Sequence, residues 1–287
     1  MDKVKKKIKI STKRKIQKYV RMAVQLLFFI VMPSVFTTAF SGIKYIFTQI
    51  GNNQPVELTS FVTVLIVLCL YTIVFGRFFC GFACAFGTLG DFVHEFYVWV
   101  CKKVKRKPLA ISDSINKRMS VIKYFILTII ILLCFVGVYS GIKGWSPWDV
   151  FSMIIAGNLK ISGYVPALLI LLFIIVGMAV CERFFCRFLC PMGAVFSILP
   201  VLQFLSISRN REQCIKGCSG CTKVCPSKIE LPDLKEDIQP GDCFMCQKCM
   251  NICPKQNVKS GLVKENGITF IIVRGLILIL IMKWAGI

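Results

Sequence analysis

The sequence predicts an all-α polytopic membrane bundle that carries a small cysteine-rich module near its C-terminal end. Three observations point there. Apolar residues make up 56% of the 287 residues and charged residues only 17%, with a mean hydropathy of +0.70, which is more apolar surface than one small core can bury. The apolar residues fall in long runs separated by basic stretches. Eight of the sixteen cysteines crowd into residues 206–266, in two proline-terminated clusters. The formal charge of +22 would raise nucleic-acid binding in a soluble chain, but its distribution follows membrane topology, and no nucleic-acid partner is expected. The only histidine is His94, too few for a multi-haem chain with its repeated C-x-x-C-H sites, so no haem is expected.

Residues 1–21 hold ten Lys or Arg and one Asp and read as a basic cytoplasmic tail. The apolar run 22–47 follows without a small-residue cleavage pattern, as in a retained anchor. The run 60–79 is 20 residues long, which at about 1.5 Å per residue matches a hydrocarbon core of about 30 Å. Runs 121–142 and 164–180 complete four transmembrane helices. The tail and the connection 101–120 are rich in Lys and Arg, whereas Lys44, Lys143 and Lys160 are the only basic residues between spans on the other side. Basic flanks resist translocation, so the tail and connection face the cytoplasm of a multi-pass protein of the cell membrane. Trp145 and Trp148 in the outer loop read as an interfacial aromatic belt. The resulting division is tail 1–21, repeat one 22–100, connection 101–120, repeat two 121–205, cysteine module 206–266 and an apolar helix 267–287. Arg274 near the middle of that last segment is costly inside a bilayer, so both a fifth span and a packed or interfacial helix fit it.

In the module, Cys243, Cys246, Cys249, Cys253 and Pro254 form C-x2-C-x2-C-x3-C-P, the bacterial iron–sulfur run. Three closely spaced thiolates reach three irons of one cubane, and the fourth serves the other. Cys214, Cys218, Cys221 and Cys225 with Pro226 supply the matching run, with one extra residue in the first gap that Gly217 can absorb. By this exchange Cys214, Cys218, Cys221 and Cys253 hold one 4Fe-4S cluster, and Cys243, Cys246, Cys249 and Cys225 the other. The module is thus a bacterial ferredoxin-like unit with two 4Fe-4S clusters. Zinc sites and a disulfide framework explain two interlocked runs on a cytoplasmic module less well.

The chain also matches itself at an offset of 106 residues. Arg77, Phe78, Phe79, Cys80, Phe82, Cys84 and Gly87 align with Arg183, Phe184, Phe185, Cys186, Phe188, Cys190 and Gly193. Each half has two spans, so the repeats run parallel and each places its C-x3-C at a cytoplasmic helix end. On a helix the i and i+4 thiols share a face, and four sulfurs can converge across the pseudo-dyad. Three readings stand side by side: a third iron–sulfur centre on Cys80, Cys84, Cys186 and Cys190, a thiol–disulfide redox pair, or close packing of small side chains. The two glycines are expected to end or bend each helix. Cys69 and Cys134 read as buried apolar residues; Cys101 and Cys181 have no assigned role.

Together these motifs resemble the NapH-type membrane-bound ferredoxins, related to MauN-type and NosR-type proteins, over nearly the whole chain. The resemblance implies electron transfer between the quinol pool and a partner redox system through cytoplasmic-side clusters; some relatives serve instead in maturation or maintenance of a partner enzyme, and both readings are carried. This chain keeps the family's C-x3-C-P at Cys190-Pro191 but has Ala85 after Cys84. No Ser/Thr-Gly-Ala-Thr flavinylation motif occurs, so no covalent FMN is expected. For quinol oxidation, His94 with Asp91 and Glu95 are the candidate proton acceptors, against a solvated polar face as the plainer reading. Lys216, Lys223, Lys248 and Lys255 suit docking of an acidic reductase, flavodoxin or ferredoxin, with surface solubility as the plainer reading. Lipid, quinone and such a redox protein are the expected partners.

Overall fold

The computed structural model describes residues 2–109, 112–158, 163–202, 205–231, 240–260 and 267–286. Lys160 of the topology count and residues 261–266 of the module lie outside them. The described chain is mostly helical. Helix α1 (Asp2–Val31) leads into α2 (Val35–Gly51), α3 (Ser60–Phe75) and α4 (Ala85–Lys103). In the second half, α5 (Asp113–Met119), α6 (Ile122–Phe135), α7 (Pro147–Ile155), α8 (Val165–Val180) and α9 (Pro191–Ile198) follow. The module has strand β1 (Ile207–Arg209), the short helices α10 (Gly220–Val224) and α11 (Lys248–Ile252), and strand β2 (Val258–Ser260). Helix α12 (Gly267–Trp284) ends the fold. The strands pair antiparallel with Ile207 opposite Ser260, closing the module.

Among the described residues, two helical stretches are long and apolar enough to cross a membrane: Ile115–Phe135, which takes in most of α5 and all of α6, with 21 residues, and Gly267–Trp284 with 18. The four expected spans differ from this in ways the sequence explains. The run 22–47 is two helices, bent by 58° between α1 and α2, because Pro33 lacks an N–H and its ring obstructs a continuing helix. The boundary drawn at residue 21 falls inside α1, whose Gln17 and Gln25 are buried. Helix α3 stops at Gly76, with φ of 68°, a left-handed stop that suits glycine; Gly137, at 78°, stands just beyond the end of α6. Helices α3 and α8 have 16 residues each, about 24 Å of rise. Of the two readings for the last segment, α12 is long enough to span and also packs against α1 and α3, burying Ile271, Arg274 and Leu278.

Both aligned cysteine segments take one backbone. Phe79–Ala83 and Phe185–Leu189 are single π turns, and Cys84 and Cys190 leave them extended, as the N-caps of α4 and α9. The regular i, i+4 helix expected for each pair is therefore broken at its second cysteine, a π turn being the usual form of a helical irregularity at a functional site. Gly87 and Gly193 do not end helices. They sit in the first turns of α4 and α9, where a Cβ would stand 2.6 Å from Cys80 O and 2.9 Å from Cys186 O. Phe36, Phe86 and Phe185 pack around this centre, with Phe86 and Phe185 ring centroids 4.9 Å apart.

Candidate functional site: converging thiols and a bridged module

The π turns bring Cys80, Cys84, Cys186 and Cys190 together in the core, each at most 6% exposed. Every one of the six thiol pairs lies within electrostatic range. Gly193 N–H donates to Cys190 Sγ at 3.2 Å. Arg77, 1% exposed, lies beside Cys80 and Cys190, with the Cys80 thiol within hydrogen-bonding range, and its Nε and Nη2 meet no oxygen or nitrogen acceptor among the described residues. Buried guanidinium N–H groups without an acceptor are costly, and an anionic centre held by four thiolates satisfies them. The donor set therefore fits an iron–sulfur centre. Among the described residues, no three His, Cys, Asp or Glu side chains approach closely enough to hold a single metal ion.

Each repeat's arginine is held by the other repeat. Arg183 donates from Nε to Asp91 Oδ1 at 2.9 Å, from Nη2 to Asp91 Oδ2 at 2.7 Å and to Gly81 O at 2.8 Å, and from Nη1 to Cys80 O. Arg77 donates from Nη1 to Ser197 Oγ at 2.9 Å and to Asp242 Oδ1 at 3.3 Å. Lys123 joins that cluster through Ser197 and Asp242. Both guanidinium groups then face one aromatic ring: Phe244 lies 4.7 Å from Arg77 Cζ and 5.0 Å from Arg183 Cζ, a double cation–π contact.

Phe244 belongs to the loop between Cys243 and Cys246, so this ring joins the thiol centre to the module. Gly81 makes the approach feasible, because a Cβ there would stand 2.2 Å from Phe244 O. At the aligned position of the other repeat is Arg187, which turns away to donate to Cys181 Sγ at 3.1 Å and to Asn116 Oδ1. Gly81→Ala is expected to lower stability by about 1–3 kcal/mol by overpacking. Thermal unfolding in detergent measures this, and Gly141→Ala, where a Cβ meets nothing within 4 Å, is expected to melt with wild type.

Within the module, Cys225, Cys243, Cys246 and Cys249 line one small void together with Cys221. Cys249 lies in electrostatic range of the other three, and Cys225 of Cys246. Cys221, assigned to the other set, is also in electrostatic range of Cys249, so the two sets adjoin at this void. Burial pushes the Cys225 and Cys249 thiols up, so metal loading displaces protons there. The first set is tied by Asn257, which donates from backbone N to Cys253 Sγ at 3.3 Å and from Nδ2 to Cys214 Sγ at 3.5 Å. Arg209 Nη1 donates to Cys221 Sγ at 3.2 Å. Cys218 of this set is exposed. Both sets thus have the donor chemistry of a cluster site, including the N–H···S bonds that tune potential.

The candidate proton acceptors separate. Asp91 is buried, not a solvated residue, and also takes Arg21 and Gln25 as partners, Gln25 Nε2 at 2.8 Å. Burial disfavours its charged form, but the Arg183 and Arg21 guanidiniums hold its carboxyl well below the usual range. His94 turns to helix α8, its Nδ1 2.9 Å from Ala179 O. Glu95 pairs with Lys18 at 3.0 Å in an exposed position. Glu182 pairs with Lys248 and not with its neighbour Arg183, which withdraws Lys248 from the docking set; Lys216, Lys223 and Lys255 are exposed. Arg21, Gln25, Ser197, Asp242, Phe244 and Asn257 were not expected at the site. Only the first two carried a signal, because Gln17, Arg21 and Gln25 recur every four residues along α1.

A family model described as a 4Fe-4S binding domain matches residues 58–107 and 165–203, the segments that hold the four converging thiols. An uncharacterized protein of Methanocaldococcus jannaschii is 31% identical over 199 residues, covering 69% of each chain. A second uncharacterized protein of that organism is 27% identical over 80% of this chain and 90% of its own. The ferredoxin-type protein NapH of Escherichia coli is 26% identical over 66% of this chain and 63% of its own. No solved structure matches.

Proposed function

Since the chain belongs to the NapH-type family of ferredoxin-like, iron–sulfur electron-transfer proteins, we propose that it takes electrons from the quinol pool of the cytoplasmic membrane and delivers them to a soluble redox protein. The observation that carries this reading is Phe244, packed between Arg77 and Arg183, which makes three cysteine sets into one connected body. Cys80, Cys84, Cys186 and Cys190 hold the first centre, in two parallel membrane repeats. Cys225, Cys243, Cys246 and Cys249 hold the second, and Cys214, Cys218, Cys221 and Cys253 the third, in a module on the cytoplasmic side.

Bound iron–sulfur clusters supply one-electron carriers at these positions. The chain's own residues do the rest. Arg77 and Arg183 offset negative charge beside the buried thiols, and the N–H donors of Asn257 and Arg209 stabilise thiolate at the outer set. The sequence of burial, from the enclosed thiol centre to exposed Cys218, leads to a surface with Lys216, Lys223 and Lys255, which suits an acidic partner.

The test is reduction of the clusters in anaerobic, cluster-loaded protein by a menaquinol analogue in detergent, read by electron paramagnetic resonance. The signal of reduced clusters is expected within the mixing time of the sample. Silence with several quinols, the iron content being intact, counts against the reading and favours a maturation or maintenance factor, whose mark is stable co-purification with an apo-enzyme.

A further inference from the structure

A cleft of about 490 Å³ opens between α1, α4, α12 and the module, within the range of small-molecule sites. Leu26, Phe29, Leu89, Phe92 and Ile271 form its walls, and Cys246 of the second cysteine set reaches its lining. Each cation on the lining already has a carboxylate partner: Lys18 has Glu95, Lys248 has Glu182, and Arg21 has Asp91, which it shares with Arg183. With those charges engaged and the walls apolar, the cleft suits an uncharged ligand. Two of the lining residues, Arg21 and Thr88, each carry a buried polar atom, Arg21 Nε and Thr88 Oγ1, with no hydrogen-bond partner among the described residues. Leaving them unpaired costs free energy, and a ligand oxygen restores it.

We infer that this cleft is the binding site for an uncharged lipophilic ring bearing carbonyl or hydroxyl oxygens, of the quinone class. Arg21 Nε–H and the Thr88 hydroxyl hold the ring oxygens, the apolar walls take the ring and tail, and Cys246 sets the ring against the second cysteine set. The inference rests on the quinol reading above and gives it a place. It also moves the site away from His94, which faces α8.

Equilibrium binding of dimethylnaphthoquinone to the cluster-loaded full chain in detergent tests it. Thr88→Val keeps the volume and removes the hydroxyl; Leu26→Trp fills the cleft; Leu172→Trp, on an exposed position of α8, is the control. Binding about tenfold weaker in Thr88→Val, weaker still in Leu26→Trp and unchanged in the control supports the site, with iron content reporting that each variant is folded. Wild-type affinity in Thr88→Val and in a folded Leu26→Trp overturns the site and leaves the quinol reading standing. No binding to loaded wild-type protein overturns both.

Discussion

Anaerobically purified protein is expected to carry more than about eight irons per chain, falling to about eight when Cys80 and Cys186 are both replaced by Ser, because the two module clusters account for eight. Acid-labile sulfide should fall with it. The expectation follows from convergence: two cysteines from each repeat, all buried, all six pairs in electrostatic range. Packing alone does not require two buried arginines beside them, one with donor groups that meet no oxygen or nitrogen acceptor among the described residues. About eight irons in both proteins would leave the four thiols to disulfide redox or packing and shorten the proposed path to the module.

Asp91→Asn is expected to destabilise the protein by about 3–5 kcal/mol, the cost of leaving a buried charge without its partner. Arg183 is 0% exposed, and its bidentate contact with Asp91 is the only carboxylate it meets among the described residues. The carboxyl's lowered folded pKa also fixes the sign of the pH effect. Its stabilisation is present above the unfolded value, about 3.9, and is lost as pH falls through the lower folded one. Wild type should therefore hold its melting temperature through mildly acidic pH, while the Asn variant starts low at neutral pH and lacks this component. Glu95→Gln, which breaks an ion pair with both side chains about half exposed, should change stability by no more than about 1 kcal/mol.

What was legible in the sequence was what short spacing determines. The eight module cysteines stand out as local runs closed by proline, and the two C-x3-C segments follow from the self-match. Pro33 was equally visible, yet a hydropathy run averages over it, so one span was expected where the chain bends. The π turns were hidden because i, i+4 spacing reads the same whether or not a residue bulges. Phe244 looked like one more apolar residue between two ligands; its place between Arg77 and Arg183 depends on contacts more than sixty residues away in sequence. Gly87 and Gly193 were noticed for backbone freedom, whereas the fold uses their missing side chains to admit an arginine and a carbonyl.

The difference between Gly81 and Arg187 fixes a stoichiometry. Two matching repeats offer, in principle, two matching landing places, one above each π turn. Glycine opens the first to the Phe244 carbonyl, and the guanidinium at the second is anchored elsewhere by Cys181 and Asn116. One bundle therefore seats one module, on one side. A duplicated framework has become lopsided, with a single berth for the module however symmetric the scaffold beneath it.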